Sequence, residues 1–338
     1  MAAEGTSTRR GFLAAGLAAA GGAAALSLEE RALLAATASA PPARAAEPAD
    51  AAKSAQPGPL PAAGRAAPAP FPCGKLGDRT VSRIICGGNL VSGFAHSRDL
   101  IYVSAMLKQY FTDEKVLETL RLCEEAGINT VIWREDARVA RLLNEYWNKQ
   151  GGKVQWIAQA YPSDSGPQTS IQRAADAGAV GCYIQGGIGD RWAREDRLDC
   201  FEHALEAMRK AGLIAGVGGH GLDVSRKVEK AGLKFDFHMK TLHKSDYWSY
   251  TKETVKDNSW CSEPEETIAF MRNVETPWIA FKVLAAGAIH PRQGFRYAFE
   301  GGADFACVGM FDFQLREDAD VARALLAGNL KRARPWRA

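Results

Sequence analysis

Several features are missing from this sequence, and each absence excludes a class of protein. The seven cysteines include no Cys-x-x-Cys pair and no regular spacing, which argues against a disulfide framework in a chain of 338 residues. There is no run of lysines and arginines with interleaved aromatics, and the formal net charge is only +3, so nothing predicts nucleic-acid binding. What remains is the composition of an ordinary globular protein, with 46% hydrophobic and 24% charged residues.

The first residues place paired arginines directly before an apolar segment. The segment from Phe12 to Leu28 is mostly Ala and Gly and stops at Glu29. It is shorter and less apolar than the ~20 strongly apolar residues of a membrane span, so we expect no stable span. The run Thr8-Arg9-Arg10-Gly11-Phe12-Leu13 resembles a twin-arginine signal. That resemblance implies a signal peptide over residues 1–45, the twin-arginine export machinery as a partner, and a periplasmic or extracellular protein.

The chain after the signal divides into a linker and one domain. Residues 46–72 are rich in Ala and Pro and have no periodic apolar pattern, which predicts a disordered linker. Residues 73–338 remain, a length that suits one (β/α)₈ barrel of typically ~250 residues.

A repeated unit in residues 73–338 predicts the fold. A helical pattern ends in Gly, and a short apolar run follows, as in CEEAGINTVIW (123–133) and MRKAGLIAGVGGH (208–220). Together with apolar segments that lack this glycine, the pattern predicts eight strands near residues 82–89, 130–134, 154–160, 179–186, 214–220, 235–241, 278–285 and 305–311. Eight parallel strands separated by helices form an α/β (β/α)₈ TIM barrel. The alternative is an open doubly wound sheet, but the first turn, Cys86 to Asn89, lacks the G-x-G-x-x-G pattern that such a sheet would need.

In a barrel the active site forms at the carboxyl ends of the strands, where this sequence has many polar residues. His220 and His238 end consecutive predicted strands, so they are candidate ligands of a divalent metal. Glu135 or Asp312 could complete the ligand set. In the alternative interpretation, one of the histidines is a hydrogen-bonded residue of the rim. Gln185 ends the fourth strand and is a further catalytic candidate.

Two lysines and two glycines form further candidate sites. Lys240 and Lys282 resemble the strand-six and strand-seven lysines of Schiff-base aldolases, which implies a nucleophilic amine, whereas Lys282 could instead pair with a carboxylate such as Glu135. Gly287 and Gly309 lie in the loops that bind phosphate in many barrels, and they are the candidate cofactor-binding residues.

The beginning of the domain resembles an aldo-keto reductase. The likeness rests on Leu76-Gly77-Asp78-Arg79-Thr80-Val81-Ser82-Arg83-Ile84 and on Thr112 to Thr130. The family's catalytic Asp and Tyr are absent, because Arg134-Glu135-Asp136 follows the second predicted strand. Its Lys and His are also absent from the third and fourth strands, the latter replaced by Gln185. No catalytic residue can therefore be carried over. The whole chain also resembles a group of twin-arginine-exported bacterial barrel proteins, which implies no activity.

These observations favour an exported, divalent-metal-dependent enzyme that acts on a small polar substrate, such as a carbohydrate derivative, by hydrolysis, elimination or isomerisation. His220 and His238 would hold the metal, Glu135 would be a ligand or general base, and Lys282 would polarise an oxyanion or stabilise an enolate. Three alternatives stay open: a divergent aldo-keto-reductase-like oxidoreductase using NADP, a Schiff-base lyase, and a barrel that binds a ligand without catalysis.

Overall fold

Several helices end at a glycine that leads into the next strand, as the sequence pattern predicts. A computed structural model describes residues 70–97, 100–247, 250 and 261–338. The predicted signal peptide at 1–45 and the linker up to residue 69 lie outside the described residues. Gly127 takes a φ of 84°, where a Cβ would stand 2.8 Å from the Cβ of Phe71. Phe71 is itself buried, so packing begins two residues before the predicted domain boundary.

Ten strands are present in the described residues, and eight of them form a closed parallel barrel. The strands are β1 (Cys73–Leu76), β2 (Arg79–Ser82), β3 (Ile84–Gly87), β4 (Thr130–Arg134), β5 (Gln155–Ala160), β6 (Gly181–Ile184), β7 (Ile214–Gly219), β8 (Phe237–Thr241), β9 (Trp278–Phe281) and β10 (Phe305–Val308). The ring runs from β3 to β10 in chain order, and β10 pairs with β3 to close it. The predicted eight-stranded barrel is confirmed, and the open-sheet alternative is wrong.

Helices connect these strands along the outside of the barrel. They are α1 (Val103–Tyr110), α2 (Asp113–Glu125), α3 (Ala137–Lys149), α4 (Gln168–Asp176), α5 (Gly186–Arg194), α6 (Leu198–Lys210), α7 (Leu222–Ala231), α8 (Pro264–Met271), α9 (Pro291–Glu300) and α10 (Asp312–Leu326), with a 3₁₀ turn at Ala285–Gly287. Thr112 caps α2 by accepting a hydrogen bond from the backbone N–H of Lys115 at 3.3 Å. Within the described ranges, no helix combines the length and the apolar character that crossing a membrane requires.

Side chains alternate along each barrel strand between the barrel interior and the helix layer. The interior cluster takes alternate residues from the strands, such as Ile85, Phe237 and Met239. The hairpin of β1 and β2, which the sequence analysis did not predict, contributes Leu76 and Val81 to the same cluster. The hairpin therefore covers the end of the barrel at which the strands begin.

A buried ionic cluster lies at that same end. Asp304, which precedes β10, is fully buried and accepts a hydrogen bond from the backbone N–H of Trp278 at 3.0 Å. Its carboxylate also pairs with the guanidinium of Arg334, which is 3% exposed and donates further bonds to backbone carbonyls. Arg332 lies 3.4 Å from the other carboxylate oxygen. Because this cluster lies opposite the carboxyl ends of the strands, it supports the fold rather than a reaction.

Candidate active site at the barrel mouth

A histidine and an aspartate form a hydrogen-bonded dyad at the carboxyl end of β7. Nδ1 of His220 lies 2.7 Å from Oδ2 of Asp190, a residue of α5. The other oxygen of Asp190 accepts from the backbone N–H groups of His220 at 2.9 Å and of Gly221 at 3.0 Å. An ionised carboxylate can only accept, so Nδ1 carries the proton and Nε2 keeps its lone pair in the neutral ring.

Two neighbours fix the position of the His220 ring. A Cβ at Gly186 would stand 3.0 Å from Cε1 of His220, so only a glycine leaves the ring its full space at the start of α5. On the other side, the ring of Phe281 lies 5.4 Å from the His220 ring between centroids. Phe281 packs against the interior cluster, and the His220 side chain is 29% exposed. The imidazole therefore faces the open mouth of the barrel. Among the described residues, Nε2 has no hydrogen-bond partner.

The backbone of His220 is supported by β8. Oγ1 of Thr241 donates to the carbonyl of His220 at 2.9 Å. The ammonium of Lys240 donates in turn to Oγ1 and to the carbonyl of Thr241, both at 2.9 Å. Lys240 is only 2% exposed, and burial lowers the pKa of its ammonium below the ordinary value. Lys240 thus lies beneath the dyad and supports it.

Three polar side chains stand at one level on neighbouring strands. Arg134 of β4 pairs in register with Gln159 of β5, which pairs with Tyr183 of β6. Ile132 and Ile157, two residues earlier on their strands, belong to the interior cluster, and so does Tyr183. By alternation the three polar side chains face the interior at the carboxyl end.

Aromatic rings hold the guanidinium of Arg134. The ring of Phe94 lies 3.9 Å from Cζ of Arg134 between centroid and atom, and the ring of Tyr161 lies at 4.7 Å. Nε of Arg134 is 3.4 Å from an oxygen of Asp136 but makes no hydrogen bond to the described residues. A cation–π contact with an aromatic ring does not itself use the N–H donors of a guanidinium.

The structure does not bring the two candidate metal-binding histidines together. His238 lies between Phe237 and Met239, which face the interior, so its ring points to the helix layer. There Nε2 of His238 lies 2.7 Å from an oxygen of Glu229 of α7. His220 instead contacts Asp190, so each histidine has its own carboxylate.

The two candidate acids are also occupied elsewhere. Glu135 accepts from Nε and an Nη of Arg173, both at 2.8 Å, and from the hydroxyl of Ser170 at 2.8 Å. Asp312 accepts from the hydroxyl of Tyr110 at 2.5 Å and from the ammonium of Lys115 at 3.0 Å. In the described part of the chain, no three or more His, Cys, Asp or Glu side chains could hold a metal ion together. The four residues predicted as ligands therefore do not fit a metal site.

The remaining predicted residues have identifiable positions. Gln185 caps α5, because its side-chain oxygen accepts from the backbone N–H of Ile188 at 3.0 Å. Lys282 follows β9 with a φ of 59°, a left-handed conformation that is uncommon outside glycine. The backbone N–H of Gly287 donates to the carbonyl of Leu284 at 2.9 Å, so it is not available to a phosphate. A Cβ at Gly309 would stand 3.2 Å from the side chain of Leu90, which indicates a packing role.

The sequence analysis missed Asp190, Tyr183 and Phe94 as residues of the mouth. Asp190 lies one turn into a helix, and no strand-end pattern identifies such a position. Tyr183 was hidden in the apolar run GCYI, although strand alternation from Gly181 would have placed it inside the barrel.

Comparisons with known proteins agree with the fold. No protein-family model matches the chain, and a search of curated proteins found no match. Among solved structures, one from Pseudomonas aeruginosa described as an aldo-keto reductase is 18% identical, with a TM-score of 0.51, over 75% of this chain and 95% of that one. An aldo-keto reductase from Bacillus halodurans is 11% identical, with a TM-score of 0.52, over 76% and 95%. This chain is thus a TIM barrel with distant structural similarity to aldo-keto reductases.

Proposed function

We propose that the protein is an enzyme that moves a proton on a small polar substrate at the barrel mouth, with His220 as the general acid–base. The observation that carries this proposal is the dyad: Asp190 orients the imidazole through Nδ1, and Nε2 faces the mouth. A positioned imidazole of this kind contributes typically 10²–10⁴-fold to the rate of a proton transfer.

The chemistry follows from the tautomer that Asp190 selects. Neutral His220 accepts a proton from a C–H or O–H group of the substrate at Nε2, and the imidazolium that forms is stabilised by the carboxylate of Asp190. Return of the proton to another atom of the substrate completes an isomerisation, and its delivery to a leaving group completes an elimination. Both reactions conserve the proton and need no external oxidant.

The other predicted chemistries receive less support from the residues at the mouth. His220, His238, Glu135 and Asp312 do not form a ligand set, so we derive no step through a divalent metal. An NADP-dependent reduction would need a proton relay other than that of the aldo-keto reductases. We also propose export by the twin-arginine route. The support for it is the sequence of residues 1–45, which lie outside the described part of the chain.

Deuterium exchange tests the proposal without knowledge of the complete reaction. The full chain is incubated in D₂O with a panel of hydroxy acids, keto acids and sugars, and the loss of C–H signals is followed by ¹H NMR. We expect exchange into at least one compound, and a loss of about 10²–10⁴-fold in His220→Gln. His203→Gln, which changes an exposed histidine of α6, is the matched control and should retain the wild-type rate. Equal exchange by His220→Gln and the wild type would contradict the proposal.

A further inference from the structure

The interior level of the mouth holds three hydrogen-bond donors that other described residues leave unused. Nε of Arg134 is buried and has no acceptor there. The side-chain amide of Gln159 and the hydroxyl of Tyr183 likewise make no hydrogen bond to the described residues. Buried donors without acceptors are uncommon in folded proteins, and a ligand that completes the site is one explanation for them. Nε of Arg323, Arg332 and Arg337 is also buried without an acceptor, so the argument rests on the three donors at one level of the mouth rather than on Arg134 alone.

The fold makes room for this row of donors. A Cβ at Gly218 of β7 would stand 2.9 Å from the ring of Tyr183, so the glycine lets the phenol lie across the neighbouring strand. Tyr183 is 5% exposed, and burial raises the pKa of its hydroxyl well above the ordinary value. The phenol therefore stays protonated and able to donate.

We propose that Arg134, Gln159 and Tyr183 bind the carboxylate group of the substrate, which makes the substrate a small carboxylic acid. This inference rests on the proposed function, since it assigns the substrate class of the same mouth. The guanidinium of Arg134 lies over the rings of Phe94 and Tyr161, and a guanidinium can pair through its N–H edge with both oxygens of a carboxylate.

The charge and the loops favour a carboxylate over a phosphate. The row holds one formal positive charge, on Arg134, and the nearby Asp136 oxygen at 3.4 Å offsets part of it. One positive charge balances a singly charged anion better than a phosphate dianion. In the loop after β9, the N–H groups of Ala285, Gly287 and Ile289 donate to carbonyls of their own loop, which leaves fewer backbone donors for a phosphate.

Calorimetric titration of the full chain tests this assignment. The probes are acetate, pyruvate, lactate and gluconate, with acetamide as the uncharged counterpart and inorganic phosphate as the competing anion, at constant ionic strength. We expect at least one carboxylate to bind with a Kd below about 10 mM. Arg134→Met should weaken that binding about ten- to hundredfold, because a hydrogen bond to a charged group is lost.

Milder variants keep the test valid if Arg134→Met unfolds. Tyr183→Phe removes one hydroxyl and should weaken binding several-fold. Tyr146→Phe removes a hydroxyl bonded to Glu124 on the outside of the barrel and should bind as the wild type does. In ¹⁵N–¹H spectra the carboxylate should shift one arginine Nε resonance, which Arg134→Met removes.

The outcomes separate this inference from the proposed function. Tighter binding of phosphate than of every carboxylate, no carboxylate binding, or unchanged binding in both Arg134→Met and Tyr183→Phe would overturn the carboxylate site. Carboxylate binding that depends on Arg134, with no deuterium exchange, would support the site and contradict only the role of His220.

Discussion

The substitution Asp190→Asn should reverse the tautomer of His220 while leaving the fold in place. Asp190 accepts three hydrogen bonds: two from backbone N–H groups on Oδ1, and one from Nδ1 of His220 on Oδ2. An asparagine keeps both backbone bonds only when its oxygen takes the Oδ1 position. Its NH₂ group then faces Nδ1, which must become the acceptor, so that the ring proton moves to Nε2.

The expected loss of exchange activity in Asp190→Asn can be estimated from the hydrogen bonds that each orientation of the new amide keeps. In the opposite orientation, the amide oxygen would accept from Nδ1 of His220. The NH₂ group would then face the two backbone N–H donors, and both of their hydrogen bonds would be lost. Each lost bond costs about 1 kcal/mol or more, so the unflipped form is favoured by about 2 kcal/mol, or roughly 30-fold. Because Nε2 then holds a proton and cannot accept another, we expect the tautomer alone to lower exchange activity about 30-fold. Loss of the carboxylate charge that stabilises the imidazolium should extend the total loss to about 10⁴-fold. The free energy of unfolding should fall by only about 1–2 kcal/mol.

Long-range ¹⁵N–¹H correlation spectra measure the tautomer directly, and they need no substrate. The spectra are recorded on the full chain at a pH where the His220 ring is neutral, and His220→Gln assigns its signals. The wild type should show a protonated Nδ1, and Asp190→Asn a protonated Nε2. His203 serves as an internal control that should not change. A protonated Nε2 in the wild type, or the same tautomer in both proteins, would refute the reasoning.

Three further substitutions test other parts of the account. Gly186→Ala should push the His220 ring by a few tenths of an ångström, because the new Cβ would stand 3.0 Å from Cε1, and should lower exchange about tenfold without lowering the Tm. Asp304→Asn removes the buried partner of Arg334 and should lower the free energy of unfolding by about 3–5 kcal/mol in denaturant titrations. Burial raises the pKa of Asp318 from about 3.9 in the unfolded chain to about 6 in the folded protein. The contribution of Asp318 to the free energy of unfolding is therefore most favourable below about pH 4 and is lost as the pH rises to about 6. Asp318→Asn should therefore raise the Tm relative to the wild type above pH ~6 and not at pH ~4.

Two of these substitutions, Gly186→Ala and Asp318→Asn, have a matched control. Gly166→Ala places a Cβ at an ordinary 3.5 Å from its nearest neighbour and should change neither exchange nor Tm. Asp320→Asn changes an acid of α10 whose side chain is 64% exposed, and it should not alter the pH dependence of the Tm. A pH-independent effect of Asp318→Asn, or a stable Asp304→Asn, would contradict the burial arguments.

The barrel could be predicted from the sequence because its signal is repeated and local. A helical pattern that ends in glycine and leads into an apolar run occurs five times, apolar segments without that glycine supply the other strands, and all eight strands are present. The hairpin of β1 and β2 was missed because its strands have only four residues each and carry no strong apolar alternation.

The candidate site could be predicted only in part, because the position of a residue at a strand end does not give the direction of its side chain. Arg134 and Glu135 are adjacent, yet the first faces the mouth and the second bonds to α4. The same reason explains why His238 does not lie at the mouth. His238 stands between two interior-facing residues of β8, so its side chain points to the helix layer. His220 was identified correctly as a residue of a strand end, but its partner Asp190 comes from a helix that only the folded chain brings close.

Chemical modification of His220 tests the central claim most directly. Diethyl pyrocarbonate carbethoxylates an accessible, unprotonated imidazole nitrogen, and mass spectrometry of the full chain gives the modified fraction at each histidine. The account predicts that loss of deuterium exchange follows the modification of His220 in proportion, and that hydroxylamine restores both. Full exchange activity in protein modified at His220 would contradict it.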